Sequence, residues 1–331
     1  MNFQNSNGYV SSSIVNYDFV PFPYEPQRTD YSQNLKQRYG EHSGILKLTI
    51  TTVDRLHLGS GFSRYRAGEG IISETLAENE KLIIPGSSVK GAVRHLARAI
   101  SDSCVPSEKY KVNYQGKERT EPMPIEKELQ ECKITVSKEN NTPKRIMKIC
   151  PVCNLFGMMG LASKVFFSDF TADAAGNTEV IALPQQYSPR PNSDRYYDED
   201  GYLKGYKFYK TICEKKDYPN GEPEKLPVEV VKKGVVFTGD IRFSRLTDSE
   251  LELLCQSLGI GGKFFSHKLG GYRSEGLGTV NFTCTEFRLN GEQKTPQDAE
   301  YYAKKYIDNC TDDQYDRIET IRKKIMPYRE K

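Results

Sequence analysis

The sequence contains no tryptophan, and no stretch of its 331 residues approaches the roughly 18 consecutive apolar residues of a membrane-spanning helix. The first 13 residues are polar and lack the apolar segment of a secretory signal peptide. We therefore expect a cytoplasmic protein with no membrane partner. In that compartment the eight cysteines are expected to be thiols or metal ligands rather than a disulfide framework.

The sequence also lacks the common enzyme signatures. It contains no HExxH pattern, no GxxxxGK[ST] phosphate loop, no nucleophile triad and no paired-carboxylate spacing. His57 follows a predicted strand and is a candidate base for RNA cleavage, but a packing or hydrogen-bonding role is commoner for a single histidine. The net charge is only +3, from 47 basic and 44 acidic residues, so any affinity for a polyanion must come from local clusters.

Hydrophobic periodicity predicts an α+β fold. The expected strands are residues 45–53, 164–170, 235–243 and 279–287. The expected helices are a segment capped by Ser87 or Ser88 that reaches Ile100, residues 247–258, and one or two helices in 296–325. The order of strand, helix, strands, then strand, helix, strand suits two βαβ-like halves of a ferredoxin-like sheet.

The first candidate binding element is PGSSVKGAVR at residues 85–94. Free backbone N–H groups at a helix start attract anions, and Lys90, Arg94 and Arg98 follow at intervals of four on one helix face. We expect Ser87, Ser88 and these three cations to contact a phosphate backbone. The alternative is an ordinary amphipathic helix with a solvated basic face.

The second candidate element is the glycine-rich segment HKLGGYRSEGLG at residues 267–278. Glycines let a backbone approach a ligand closely, and interleaved basic and aromatic side chains supply charge and a stacking face. The expected RNA-contacting residues are Lys268, Gly270, Gly271, Tyr272, Arg273 and Ser274, together with His57, Gly59 and Ser60 of an earlier glycine-bearing turn. We expect this loop and the capped helix to meet in one positively charged groove; a tight turn with incidental charges is the alternative.

The third element is the CxxC pair Cys150 and Cys153, whose thiolates can hold one tetrahedral metal ion from a single turn. Cys132 and Cys104 lie upstream in a polar segment without sustained periodicity and are the expected remaining ligands, with His95 as a substitute for either. A structural zinc ion would order this segment. A thioredoxin-like redox motif or merely buried thiols are the weaker alternatives.

Three segments in this order, residues 84–94, 150–157 and 270–278, closely resemble the RAMP superfamily of CRISPR-associated proteins. The sequence looks most like the backbone subunits of type III and type VII effector complexes. The resemblance implies a ferredoxin-like, RRM-related core, a zinc-bound insertion and a projecting thumb hairpin. It also implies five kinds of partner: crRNA, complementary target RNA, further copies of the chain in a filament, other effector subunits and a recruited nuclease.

On this resemblance the chain divides into an extended N-terminal arm, a core with two insertions and a helical C-terminal segment. The arm is residues 1–43, the core is 44–290 with a zinc-bound insertion at 102–155 and a thumb at 187–233, and the C-terminal segment is 291–331.

One departure from the family pattern concerns cleavage. Slicing members carry an aspartate about fifteen residues before the PGSS proline, where this chain has Glu69, and the expected loop 61–81 contains no aspartate. We therefore expect no target-RNA cleavage by this subunit. Two alternatives stay open: an RNA slicer that uses Glu69 or Glu74 with a divalent metal, and a guide-processing endoribonuclease with His57 as base.

Overall fold

The structure is a computed structural model. It describes residues 14–106, 109–114, 117–122, 124–139, 142–186, 195–217, 223–261 and 264–330. The helices are α1 (Gly86–Ile100), α2 (Pro151–Phe156), α3 (Asp248–Leu258), α4 (Pro296–Asn309) and α5 (Asp312–Thr320).

The described residues also form many short strands and a few long ones. In chain order they are β1 (Tyr17–Val20), β2 (Thr29–Asp30), β3 (His42–Thr52), β4 (Gly59–Arg66), β5 (Gly70–Thr75), β6 (Ala77–Glu78), β7 (Lys81–Ile84), β8 (Lys109–Tyr114), β9 (Lys117–Pro122), β10 (Ile134–Glu139), β11 (Thr142–Ile149), β12 (Val165–Phe167), β13 (Phe170–Asp173), β14 (Thr178–Pro184), β15 (Tyr206–Tyr209), β16 (Lys225–Val231), β17 (Val236–Leu246), β18 (His267–Lys268), β19 (Thr279–Leu289) and β20 (Glu292–Lys294).

The largest sheet has the strand order β18-β19-β3-β17-β13-β7-β6, with β12 also on β17 and β20 on β19. Strand β3 lies between β17 and β19 and pairs antiparallel with both. Its alternate residues Leu46, Leu48 and Ile50 are buried in the main hydrophobic core, as the period-two pattern predicts. The mixed α+β class is confirmed.

Helix α1 packs its predicted apolar stripe into this core, because Val89, Val93, Leu96, Ala97 and Ile100 are all buried. Its predicted cap is wrong. Pro85 occupies the N-cap position without a side-chain bond, and Ser87 and Ser88 are exposed. The carboxylate of Asp169 accepts a hydrogen bond from the Gly86 N–H at 2.7 Å instead, so a residue distant in sequence satisfies the helix start.

The other helices agree with their sequence signals. Thr247 and Glu250 form the predicted capping box at the start of α3. The C-terminal segment forms two helices, α4 and α5, and Arg317 of α5 donates to the Ala99 carbonyl at the end of α1 at 2.9 Å. Among the described residues, no helix is long and apolar enough to cross a membrane.

Two segments expected as loops contain strands. Residues 61–81 include the antiparallel hairpin β4–β5, whose turn uses positive φ angles at Gly68 and Gly70. This hairpin belongs to a four-stranded sheet of order β14-β16-β5-β4. In the insertion 102–155, strands β10 and β11 pair with each other, and β11 also pairs with β2.

The described part of the N-terminal segment pairs with strands of the same chain. Strand β1 pairs with β15, and β2 pairs with β11. Residues 198–201 form a turn, in which the Gly201 N–H donates to the Asp198 carbonyl at 3.2 Å. Within the expected thumb, β15 and β16 pair with other strands and not with each other, and residues 187–194 and 218–222 lie outside the described part.

Candidate metal and nucleic-acid sites

Four cysteines converge in the interior beside α2. Cys104 follows α1, Cys132 precedes β10, and Cys150 and Cys153 lie at the start of α2. All four are buried, and their sulfur atoms lie within 4.8 Å of one another. The predicted set of ligands is therefore brought together from three separate parts of the chain.

The spacing of the sulfurs fits a tetrahedral metal ion. Cys104 Sγ lies 3.5 Å from Cys153 Sγ, and Cys150 Sγ lies 3.6 Å from Cys104 Sγ. A tetrahedron with metal–sulfur bonds of about 2.3 Å has edges of about 3.8 Å. The Cys150 N–H also donates to Cys132 Sγ at 3.3 Å, the kind of backbone contact that orients a thiolate ligand.

The electrostatics of the four thiols favour a cation. Hydrogen bonds from Cys104, Cys132 and Cys153 hold the pKa of Cys150 well below its usual value, and the bond with Cys104 lowers the pKa of Cys132 to about 7. The same contacts raise the pKa of Cys104, because one shared cluster cannot carry four unscreened negative charges. A divalent cation would offset part of this negative charge, and four cysteines in a tetrahedron are one of the common ligand sets of structural Zn²⁺.

His95, the proposed substitute ligand, lies outside this cluster. Its Nε2 is 3.0 Å from the Lys207 carbonyl oxygen, and its ring packs at 4.5 Å between centroids on Phe208. Burial lowers the pKa of His95 to about 4, so the ring is neutral at pH 7. The four cysteines suffice as the donor set.

A buried polar network that sequence analysis missed fixes α2 to the core. Lys164 Nζ lies 2.7 Å from both carboxylate oxygens of Glu250, and the Asn154 amide donates to the same carboxylate at 2.7 Å. Arg38 donates to the Asn154 side chain at 2.7 Å and to the Ala162 carbonyl. In the sequence, the only sign of this network was the capping-box pattern that contains Glu250. This network holds the residue that directly follows Cys153.

The three predicted cations of α1 share one helix face, but that face is partly covered. Lys90 donates to Ser163 Oγ at 2.9 Å, and Arg94 donates to the Gly157 carbonyl at 2.8 Å. Arg98 is buried and lies 3.7 Å from Glu131. Burial lowers the pKa of Lys90, and the charge of Arg94 adds to that effect. Lys90 also donates to the Val165 carbonyl at 3.5 Å, so all three cations contact backbone or acid groups of the chain itself.

The glycine-rich loop packs directly on the turn that contains His57. The Gly271 N–H donates to the His57 carbonyl at 2.9 Å, and the rings of His57 and Tyr272 lie 5.6 Å apart. A Cβ atom on Gly270 would collide with the His57 carbonyl, and one on Gly278 would collide with the Leu269 carbonyl. Contacts within the chain therefore require glycine at these two positions.

The remaining predicted residues occupy varied positions around this loop. Arg273 is exposed, Gly59 is exposed, and Ser60 donates to the Glu74 carbonyl at 3.2 Å. Ser274 donates to Glu275 at 3.0 Å. His57 is buried, and its Nδ1 lies 2.8 Å from the Glu229 carbonyl, which favours the packing role.

Lys268 lies under the loop rather than on it. It is buried and donates to the Leu277 carbonyl at 2.9 Å. Burial lowers the pKa of Lys268 to about 8, against smaller opposing effects from Cys213 and Asp54. Its charge at the loop therefore changes just above neutral pH.

The structure does not bring the start of α1 and the glycine-rich loop together. One row of paired residues crosses the sheet through Ile83, Thr171, Thr238, Thr49 and Thr283. From this row β7 leads to α1 in one direction, and β19 leads back to the loop in the other. At about 3.3 Å per residue the helix start and the loop lie roughly 20 Å apart along the strands. Further along α1 the two elements approach each other, since burial and, to a lesser degree, the charge of Arg273 lower the pKa of His95. The single groove between α1 and the loop stays a prediction.

The acidic residues considered for cleavage lie on the hairpin β4–β5. Glu69 pairs with Arg66 at 3.1 Å, and Glu74 pairs with Arg64 at 3.1 Å. A second carboxylate, Glu229, lies 3.6 Å from Arg64. Both candidate acids are therefore engaged by arginines.

Comparison with known proteins gives one family. A family model described as the RAMP superfamily matches residues 49–281. None of the curated proteins matches the chain. The matched range contains the α1 motif, the cysteine pair and the glycine-rich loop.

Proposed function

Because the chain belongs to the RAMP superfamily, whose members have CRISPR-associated, RNA-binding roles, we propose that it is a non-catalytic backbone subunit of a CRISPR effector ribonucleoprotein. In this role it binds crRNA and organises the pairing of guide and target RNA in antiviral defence. The observation that carries the proposal is the match over residues 49–281, because it spans all three motifs in their order.

The strand order supports a ferredoxin-like, RRM-related core. If β3, α1, β13, β17, α3 and β19 are taken as the two βαβ units, the strands lie in the order β19-β3-β17-β13. That is the order four-one-three-two, with a helix after the first and the third strand. The remaining strands are then insertions and extensions of this core.

The proposed domain plan follows from this core. Residues 1–43 form the arm, 102–155 the zinc-bound insertion, 187–233 the thumb and 291–331 a helical extension of the core at 44–290. Cys104, Cys132, Cys150 and Cys153 hold a structural zinc ion. In the complex the chain contacts further copies of itself in a filament, other effector subunits and a recruited nuclease.

The RNA-contacting surface we propose centres on the loop containing Gly271, Tyr272, Arg273 and Ser274, with a separate phosphate contact at Ser87, Ser88 and Lys90. Exposed Arg273 supports the first contact, and the exposed serines at the start of α1 support the second. Since the helix start and the loop lie roughly 20 Å apart along the strands, a guide that contacts both would span several nucleotides.

The ion pairs of Glu69 and Glu74 support a subunit that does not cleave RNA, because a carboxylate bound to arginine is a poorer metal ligand. A slicer that uses these residues is the second candidate, favoured only by their position on an exposed hairpin. The complex, incubated with labelled complementary RNA and Mg²⁺, separates the two. Regularly spaced cuts that disappear in Glu69→Gln would establish the slicer.

Guide binding is tested by co-expressing the chain with crRNA and washing the purified complex at rising salt. Lys90→Ala should weaken retention for any guide sequence, because a phosphate contact carries no sequence information. Arg242→Ala is the control, since Arg242 is exposed and paired with Asp240 at 3.0 Å. Protein that purifies without RNA and ignores added crRNA at low salt would contradict the proposal.

A further inference from the structure

A cluster of aromatic and cationic side chains lies beside the glycine-rich loop and contains residues from three parts of the chain. We call it the tyrosine patch and define it as Tyr17, Tyr196, Lys207, Tyr209 and Arg273. Lys207 Nζ lies 4.0 Å from the centre of the Tyr17 ring, 4.8 Å from Tyr196 and 5.2 Å from Tyr209. It also donates to the Tyr196 hydroxyl at 2.9 Å.

Arg273 joins this patch to the loop. Its guanidinium lies 4.7 Å from the centre of the Tyr209 ring. The rings of Tyr17 and Tyr196 are nearly parallel, 13° apart with centres 5.9 Å apart. All three tyrosines are partly accessible, and Arg273 and the adjacent Arg195 are exposed. The patch is therefore a surface of ring faces and positive charges.

The charges of the patch distinguish it from the other arginine-rich surface, the hairpin β4–β5. There Arg64 and Arg66 are paired with glutamates. Within the part of the chain that the structure describes, Lys207 and Arg273 form no salt bridge and contact rings instead. The nearest loop carboxylate, Glu275, is bound by Lys216.

The surroundings of the tyrosines agree with this charge balance. Burial raises the pKa of Tyr17 and of Tyr196, and the neighbouring cations Lys207 and Arg195 oppose that rise for Tyr17. Among the described residues, the leading electrostatic influences on these two phenols come from other tyrosines and from cations. A polyanion would meet uncompensated positive charge here.

We propose that the tyrosine patch binds single-stranded RNA, with bases against the tyrosine rings and phosphates at Lys207, Arg195 and Arg273. This inference rests on the proposed RNA-binding function and adds a second contact next to the loop. Stacking on tyrosine tolerates every base, and a cation near a phosphate reads no sequence. The contact is therefore independent of guide sequence.

The test measures binding of a fluorescent twelve-nucleotide oligo(U) and of crRNA across salt concentrations. Lys207→Met keeps an unbranched side chain against the rings and removes one charge, as does Arg273→Met. Each should lower the slope of log affinity against log salt by about 0.7 to 1. Tyr196→Leu should lower affinity about tenfold and leave the slope unchanged. Lys47→Met is the control, because Lys47 is paired with Glu286 at 2.6 Å.

The melting temperature of each variant and the peptide cross-linked to RNA by ultraviolet light separate binding from folding. Cross-links at Tyr196 or Tyr209 would support the proposal. If all three patch variants bind oligo(U) and crRNA like the wild type and only melt earlier, the patch is structural and the inference is wrong, while the proposed function stands. If the wild type binds neither RNA, both fail.

Discussion

The cysteine cluster and the edge that carries the glycine-rich loop and the tyrosine patch are built on opposite principles. In the cluster every donor is buried, and the adjacent Asn154, Lys164 and Glu250 bond to one another. At the edge Arg273 is exposed, and among the described residues Lys207 contacts neutral groups, namely the tyrosine rings and the Tyr196 hydroxyl. Polar groups that bond to neighbouring groups of the chain stabilise the fold. Cations without a carboxylate partner can instead gain free energy by binding an anionic ligand.

This difference predicts where substitutions act. Changes in the closed region should affect stability and metal content first, and RNA binding only as a consequence. Changes at the open edge should affect binding and its salt dependence at nearly constant stability. The substitutions below test whether stability and RNA binding respond separately in these two regions.

The largest effect is expected for Cys150→Ser. The loss of one thiolate from a four-sulfur site should abolish stoichiometric zinc and lower the melting temperature by more than about 10 °C, since structural metal binding contributes directly to folding. Metal content by mass spectrometry and thermal unfolding measure the two effects. Cys213→Ser is the matched control, because Cys213 lies outside the cluster and is half-buried. Normal zinc content in Cys150→Ser would show that the four sulfurs do not form the site.

The next largest effect is expected for Lys164→Met. This change leaves the Glu250 carboxylate buried without its cation and should destabilise the chain by about 3–5 kcal/mol in urea unfolding. Lys294→Met is the control, because Lys294 pairs at 2.6 Å with Glu292, whose carboxylate is exposed; it should cost much less, since an exposed ion pair contributes little to stability.

A second substitution tests whether the buried charge causes the loss. Adding Glu250→Gln to Lys164→Met should restore part of the stability, because a neutral amide needs no counter-ion. A double variant as unstable as the sum of both single changes would point to lost packing instead.

The sequence alone was sufficient to predict the cysteine site, because cysteine identity and local spacing mark candidate thiolate ligands without knowledge of the tertiary structure. Cys104 and Cys132 lack a CxxC partner of their own, yet the need for four donors identified them. The apolar stripe of α1 and the alternation of β3 were predictable for the same reason, since each depends on the period of one element.

The buried polar network and the charge state of α1 could not be predicted in this way. Whether Arg98 faces water depends on the segment packed over its helix, and Asp169 caps α1 from 83 residues away in sequence. Lys207 and Tyr17 meet only because β1 pairs with β15. These contacts depend on the tertiary arrangement, which the local patterns of a single sequence do not predict.

A smaller effect is expected from pH at the open edge. The pKa of Lys268 is lowered by burial to about 8, so its ammonium loses its proton as pH rises through that value. RNA affinity should then fall by about threefold to tenfold between pH 7 and 9.5. Lys268→Met should bind with little change over this range, and anisotropy titrations at constant salt measure both.

Stability should respond to the same group in the opposite direction. Between pH 8 and the usual lysine pKa of about 10.4, the unfolded chain holds the proton and the folded chain does not, so the free energy of unfolding rises with pH. That rise should be absent in Lys268→Met. Equal pH profiles for both proteins would mean that Lys268 is solvated and ordinary.

The smallest effect distinguishes two kinds of contact at the start of α1. Asp169→Ala removes the carboxylate that accepts the Gly86 N–H and should cost about 1 kcal/mol, the usual value of a helix cap. Ser87→Ala and Ser88→Ala should change stability by less than about 0.5 kcal/mol, because both side chains are exposed and cap nothing. If either serine variant loses guide affinity while Asp169→Ala loses only stability, the start of α1 contains both kinds of contact one residue apart. Urea unfolding and crRNA titration of the three variants measure stability and guide affinity. A stability loss in the serine variants equal to that of Asp169→Ala would show that the serines also cap the helix.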